Sequence, residues 1–244
     1  FASFSPQLAS FMDALPSLKI DPVKLKHEAP TKFEGLTIPA QVNYVGKGAN
    51  LYKLGYEPHG SINVINNYLG TTWLWEKVRV QGGAYGGFSV FDTTSGTFTF
   101  LSYRDPNLLG SIKNYDGTAD FLRGLALSKE ELVKSIIGAI GNLDQYRLPD
   151  AKGYTAMARY LTGVDDEYLQ QYRDEVLGTT EADFKALSRV LDQVKEKGCV
   201  VVLGSAEDIA AAAAAKESKE KTDKQTEKPK EGGHMDKFLE AAAK

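Results

Sequence analysis

Apolar residues recur at three- and four-residue spacing in several stretches of the chain and cluster as β-branched runs in others, which divides it into helices and strands. Ser5-Pro6 sets a capping residue and a first-turn proline ahead of Leu8, Phe11, Met12 and Leu15, so a short amphipathic helix is expected, ended by Pro16. The stretch from Ser17 to Gly35, with Pro22, Pro30 and several lysines, reads as a connector. Thr37, Ile38, Val42, Tyr44 and Val45 predict a strand over Leu36 to Val45, followed by a loop through Gly46 and Gly48. From Ser61 to Arg79 the helical spacing of Val64, Ile65, Tyr68, Leu69, Trp73, Leu74 and Val78 predicts a helix, weakened in its middle by Gly70 and the paired threonines.

A glycine-rich segment, Gly82-Gly83-Ala84-Tyr85-Gly86-Gly87, then leads into two strand-like runs, Phe88 to Asp92 and Thr97 to Tyr103, which predict an antiparallel hairpin. Asp105-Pro106 caps a further helix, broken at Gly117 and continued by Phe121 and Leu122. Ser128 and Glu131 form a capping-box pattern before a helix over Lys129 to Leu143. Pro149 separates it from three more helices, over Tyr154 to Leu161, Asp165 to Leu177 and Glu181 to Lys197. Cys199 to Leu203, with three consecutive valines, predicts a buried central strand.

Strands at the front, helices in the middle and a strand returning at the end predict an α+β fold, a mainly antiparallel sheet covered by helices on one face. The division expected is an N-terminal helix and connector over 1–35, one α+β domain over 36–209, and a charged tail over 210–244. Beyond Ile209 an alanine run gives way to alternating lysines and glutamates with no core former, which predicts disorder or a solvated helix. The tail ends in segments that read as engineered, Gly232-Gly233-His234-Met235 and a Glu-Ala-Ala-Ala-Lys spacer.

Composition narrows the function classes. The chain has 244 residues, 42% hydrophobic and 25% charged, enough for one large domain with its own core. A formal net charge of −3, with basic residues spread among acidic ones, gives no footprint for nucleic acid or anionic lipid. No apolar run approaches the roughly 20 residues needed to cross a bilayer, so no membrane partner is expected. A single cysteine, Cys199, excludes an internal disulfide and a cysteine zinc cluster, and heading a run of valines it reads as packing. The start at Phe1 is read as mid-protein, after a cut or at an engineered boundary.

The three histidines, His27, His59 and His234, are far apart, and none sits in the spacing that aims two imidazoles and a base from one helix face, so no metal ligand is expected. The Gly82 to Gly87 segment lacks the dinucleotide and P-loop patterns and precedes a hairpin, which argues against phosphate binding. Its glycines instead clear space for an extended peptide, with Gly82, Gly83, Gly86 and Gly87 as candidate substrate-binding positions. Arg79 and Tyr85 then offer donors to a carbonyl and to the oxyanion it becomes. The same residue types admit a plainer account, Tyr85 as the first aromatic of a strand and Arg79 as a cation at a helix end.

The run from Trp73 to Phe88, Trp-Leu-Trp-Glu-Lys-Val-Arg-Val-Gln-Gly-Gly-Ala-Tyr-Gly-Gly-Phe, resembles the last domain of presequence proteases, zinc metallopeptidases of the pitrilysin class. Phe100 to Asn107, Tyr115 to Thr118, Ile136 to Gly141 and Leu148 to Tyr154 extend the resemblance over roughly Leu36 to Ile209, and the glycine-rich variant is most similar to the plant and algal enzymes. The resemblance implies a pitrilysin/LuxS-like metallohydrolase domain without the zinc site, in an enzyme whose two halves clamp around a chamber. It places zinc and the catalytic base in the N-terminal half, which would be this chain's partner, so the chain alone is expected to be inactive. It maps the arginine and tyrosine that hold the substrate backbone and assist at the scissile carbonyl onto Arg79 and Tyr85. The implied substrates are targeting peptides and other unstructured peptides, degraded in the chloroplast stroma or mitochondrial matrix. The competing expectation is a non-catalytic relative, a peptide-binding or scaffold subunit of processing-peptidase α or respiratory-complex type.

Overall fold

In the computed structural model, residues 2–16 and 31–215 are described. The chain divides into two units, Phe1–Pro30 and Thr31–Lys244. The first contains helix α1 (Phe4–Ala14), on which Leu8, Phe11 and Met12 are exposed, as is Leu15 just beyond its end. Most of the expected connector, and the charged segment beyond residue 215, lie outside the described residues.

The second unit is built on five strands: β1 (Phe33–Thr37), β2 (Asn43–Asn50), β3 (Gly86–Asp92), β4 (Thr97–Asp105) and β5 (Cys199–Gly204). Their order across the sheet is β1-β5-β2-β4-β3. Only β1 and β5 run parallel; the other three neighbouring pairs are antiparallel, as expected of a mainly antiparallel sheet. Helix α2 (Ser61–Thr71) lies between β2 and β3; α3 (Leu108–Asp116), α4 (Thr118–Arg123), α5 (Lys129–Leu143), α6 (Pro149–Thr162), α7 (Asp166–Leu177) and α8 (Glu181–Lys197) lie between β4 and β5, and residues 206–215 after β5 are helical, with Ala212 buried.

Alternation decides which face is covered. Val45 and Lys47 on β2, Phe98, Phe100 and Ser102 on β4, and Val200 and Val202 on β5 point one way and are buried. Helices α2, α3 and α8 lie against that face, where α8 contributes Phe184, Leu187, Leu191 and Val194 at helical spacing. Burying each of these large side chains contributes about 1.5–3 kcal/mol. Tyr44, Leu101, Tyr103, Val201 and Leu203 point the other way and stay wholly or partly open.

Several local expectations give way here. The connector expected up to Gly35 contains the start of β1, and the single strand expected over Leu36 to Val45 is two strands parted around Pro39. Gly46 and Gly48 lie inside β2 instead of a loop. A Cβ on Gly48 would come 2.4 Å from the Phe98 carbonyl oxygen, so the close approach of β4 requires glycine there. β5 is interior to the sheet, yet Val201 and Leu203 are 43% and 37% exposed: its valine run is buried on one face only. The capping box at Ser128 and Glu131 forms as expected, with Glu131 held below the usual carboxylate range by hydrogen bonds from Ser128.

Lys47 is a cation on the inward face. Its ammonium pairs with Asp116 and donates to the Lys195 carbonyl at 3.0 Å, so the buried charge is satisfied at the end of α8.

Candidate functional site

The helix expected from Ser61 to Arg79 is interrupted at its threonines. Thr71 and Thr72 donate their hydroxyls to the carbonyls of Asn67 and Tyr68, at 2.9 and 2.6 Å, which competes with helix continuation, and Thr72 leaves the helical region at φ −123, ψ −86. The chain resumes as a wider π-helical segment, Trp75–Val80, in which the Gln81 amide donates to the Glu76 carbonyl at 2.9 Å. Such segments are rare and concentrate at functional sites.

This segment is fixed from below. Leu74 and Val78 are fully buried, the Trp73 indole donates to the Asn114 carbonyl at 3.1 Å, and the Asn114 amide donates to the Lys77 carbonyl at 3.1 Å. Arg79 emerges on the open side, its guanidinium 4.1 Å from the centre of the Trp75 ring and 5.7 Å from that of Tyr85.

The glycine-rich turn carries the chain from this segment into β3. Gly83 adopts φ +78, which a side chain would strain, while the amides of Gly83 and Ala84 donate to the Arg79 and Val78 carbonyls. A Cβ on Gly87 would lie 2.8 Å from Val78 Cβ, so its bareness lets β3 pack against the π segment. Gly82 abuts the Val78 carbonyl, and Gly86 lies beneath the Phe88 ring, so the room left by Gly82, Gly86 and Gly87 is taken up by the protein's own packing and does not clear space for a peptide as expected. Tyr85 donates its amide to the Tyr103 carbonyl at 3.0 Å and leaves its side chain 65% exposed. Its ring meets Tyr103 edge-on at 5.7 Å, and Tyr103 meets Tyr44 in the same way at 5.3 Å.

Arg79 and Tyr85 thus line one open cleft of about 480 Å³, together with Val80, Gly83, Ala84 and Arg104; no acidic side chain is among these residues. Tyr85 also borders an apolar trough of about 580 Å³ on the open face of the sheet, lined by Tyr44, Phe88, Leu101, Tyr103, Val201 and Leu203. The arrangement offers guanidinium and phenol donors beside apolar walls, the chemistry needed to hold a peptide backbone and its side chains.

Arg104 has no counterpart among the sequence-based candidates. Between Asn43 and Val45 the β2–β4 register shifts, so that two residues on β2 span three on β4. The extra residue is a β-bulge: Ser102 faces in, Tyr103 and Arg104 both face out, and Asp105 faces in again. Arg104 sits there at φ 50, an arrangement that costs a non-glycine residue about 1 kcal/mol or more. The available hint lay in β4 itself, where the alternation Phe98, Phe100, Ser102 falls out of step with the inward Asp105. That residue ends the strand and accepts the Asn107 amide in a local turn, so it does not cap the helix as expected, and α3 starts after Asn107.

Nothing in the described residues suits a metal ion: no group of three His, Cys, Asp or Glu side chains converges. His59, the one histidine described, has its Nδ1 2.8 Å from Ser61 Oγ and accepting the Ser61 amide at 3.2 Å, in a local turn. The described residues therefore do not fit a zinc ion. Cys199 is half-buried at the start of β5. Burial raises the hydroxyls of Tyr56 and Tyr115 above the ordinary phenol range, and that of Tyr172 to about 12; all three pack in or against the core.

A family model described as the PreP C-terminal domain matches residues 33–207. The chain belongs to this family. Presequence protease 1, chloroplastic/mitochondrial, of Arabidopsis thaliana is 52% identical over 206 residues, 84% of this chain and 19% of that protein. Protein HypA of Clostridium perfringens is 35% identical over 182 residues, 75% of this chain and 19% of its own length. The chain therefore spans about a fifth of the curated relatives it matches. Among solved structures, a peptidase M16 inactive domain from Pseudomonas fluorescens superposes with a TM-score of 0.58 at 18% identity, covering 84% of this chain and 51% of that one. That likeness shows that this chain shares its α+β fold with that inactive domain.

Proposed function

We propose that this chain is the substrate-holding part of a zinc metallopeptidase that degrades targeting peptides and other short unstructured peptides. The observation carrying the reading is that Arg79 and Tyr85 line one open cleft, without an acidic side chain lining it to neutralise the guanidinium. Arg79 donates to a main-chain carbonyl of an extended peptide and fixes its register. Tyr85 donates its hydroxyl to the scissile carbonyl oxygen and strengthens that bond as the oxygen gains negative charge. Gly82, Gly83, Gly86 and Gly87 serve the substrate by shaping the turn that brings both side chains to the cleft, and the trough beside Tyr85 receives apolar side chains of the peptide.

Zinc and the activated water belong, in this reading, to the N-terminal half of the enzyme, the partner with which this chain closes the site. The plant relative's name supports chloroplast stroma or mitochondrial matrix as the place of action. The test is complementation: this chain mixed with a separately made N-terminal half should restore zinc-dependent cleavage of a fluorogenic peptide. A complex that forms, binds peptide and still fails to cleave it would favour a peptide-binding or scaffold subunit instead.

A further inference from the structure

We propose that Arg104 is a further substrate-positioning residue, donating to a second main-chain carbonyl of the peptide that Arg79 and Tyr85 hold; this rests on the reading given above. Three observations converge on it. Arg104 lines the same cleft as Arg79 and Tyr85. It is the one non-glycine position with positive φ among the described residues, at a bulge that turns its side chain to the open face beside Tyr103. Strained backbone is kept where the surrounding structure holds it, and bulges re-aim side chains next to binding sites. Its guanidinium has no hydrogen-bond, ion-pair or ring partner among the described residues; Arg147, Arg159 and Arg189 are also without one, but none of them lines this cleft, whereas Arg104 does.

The chemistry of the occupant follows from what an unstructured peptide offers. Two guanidiniums in a cleft lined by no acid attract oxygen acceptors. A carboxylate would satisfy them, but organellar targeting peptides are poor in acidic residues. Main-chain carbonyls are present in every sequence, and in an extended chain those on one edge recur about every 7 Å. A pair of arginines along the cleft can therefore grip alternate carbonyls whatever the side chains are. Arg79 takes the carbonyl near the scissile bond, and Arg104 one further along.

The experiment uses the full-length protease in which this chain forms the C-terminal part. Arg104→Ala, Arg104→Lys and Arg104→Gly are assayed beside Arg79→Ala and Tyr85→Phe on two fluorogenic peptides, both amidated at the C-terminus, one with acidic side chains and one without. Loss of one charge-assisted hydrogen bond made equally in ground and transition states should raise KM about tenfold in Arg104→Ala and Arg104→Gly, with kcat little changed, for both peptides. Arg104→Gly should melt no lower than the parent, because glycine adopts the bulge conformation freely. Parental KM in Arg104→Gly, a loss confined to the acidic peptide, or a loss that appears only in variants with lowered melting temperature would each overturn the inference. Tyr85→Phe and Arg79→Ala separate the two levels. Impairment there with none at Arg104 sinks this inference alone, whereas parental kinetics in both sinks the underlying reading with it.

Discussion

The guanidinium of Arg79 rests 4.1 Å from the centre of the Trp75 ring, four residues back on the same π-helical segment. An arginine side chain otherwise carries about 2 kcal/mol of rotamer entropy, which it must lose on binding. Stacking on an exposed indole contributes about 0.5–1 kcal/mol and removes part of that loss in advance. Trp75→Ala should therefore weaken peptide binding by a fewfold through KM, with stability changed little because Trp75 is 46% exposed. Steady-state kinetics of the full-length enzyme would check this, and unchanged KM would mean that the stack does not prepare Arg79 for substrate.

Tyr85→Phe keeps the ring contacts with Arg79 and Tyr103 and removes only the hydroxyl. Turnover of a fluorogenic peptide should fall about 10²- to 10³-fold, the effect of losing one oxyanion donor, while the melting temperature stays within a degree or two of the parent. Full activity in this variant would remove the phenol from the mechanism.

Gly87→Ala is expected to act through packing. Its new methyl would meet Val78 Cβ at 2.8 Å and Cγ1 at 2.9 Å, pushing β3 from the π segment at a cost of about 1–3 kcal/mol. Denaturant unfolding should register that loss, and peptide turnover should fall too, because the displaced segment carries Arg79. An alanine variant as stable as the parent would show that the strand and the segment can part without penalty.

Asp116→Ala strands the Lys47 ammonium on the inward face of the sheet, where the lysine residue is only 5% exposed. Breaking a buried pair from one side costs about 3 kcal/mol, whereas replacing both partners by apolar residues is often close to neutral. Chemical denaturation should accordingly find Asp116→Ala much less stable than the double variant Lys47→Met, Asp116→Leu. The opposite ranking would mean that water or the Lys195 carbonyl satisfies Lys47 unaided.

Legibility in the sequence followed the range of the interaction that decides each feature. The Lys129–Leu143 and Glu181–Lys197 helices and the β3–β4 hairpin were readable because caps, three- and four-residue spacing and turn residues act within a few positions. The placement of Gly46 and Gly48 in a strand was not, because it depends on how closely β4, some fifty residues later, approaches them. The break of the long helix was hinted at by Gly70 and the threonines, but its continuation as a π segment was not, since that rests on Asn114 and Gly87 holding it from outside.

By itself the sequence determined the α+β class, most of the helices, the missing local zinc motif and, through long ordered motifs, the family; these are properties of short segments and of residue types in order. Tertiary structure alone decided that Arg79 and Tyr85 share a cleft, that Arg104 joins them at a bulge, and that the valines of β5 are covered on one face only. Strand register and helix packing are set by groups far apart in the chain, so the direction in which a side chain points is fixed only once those groups have met.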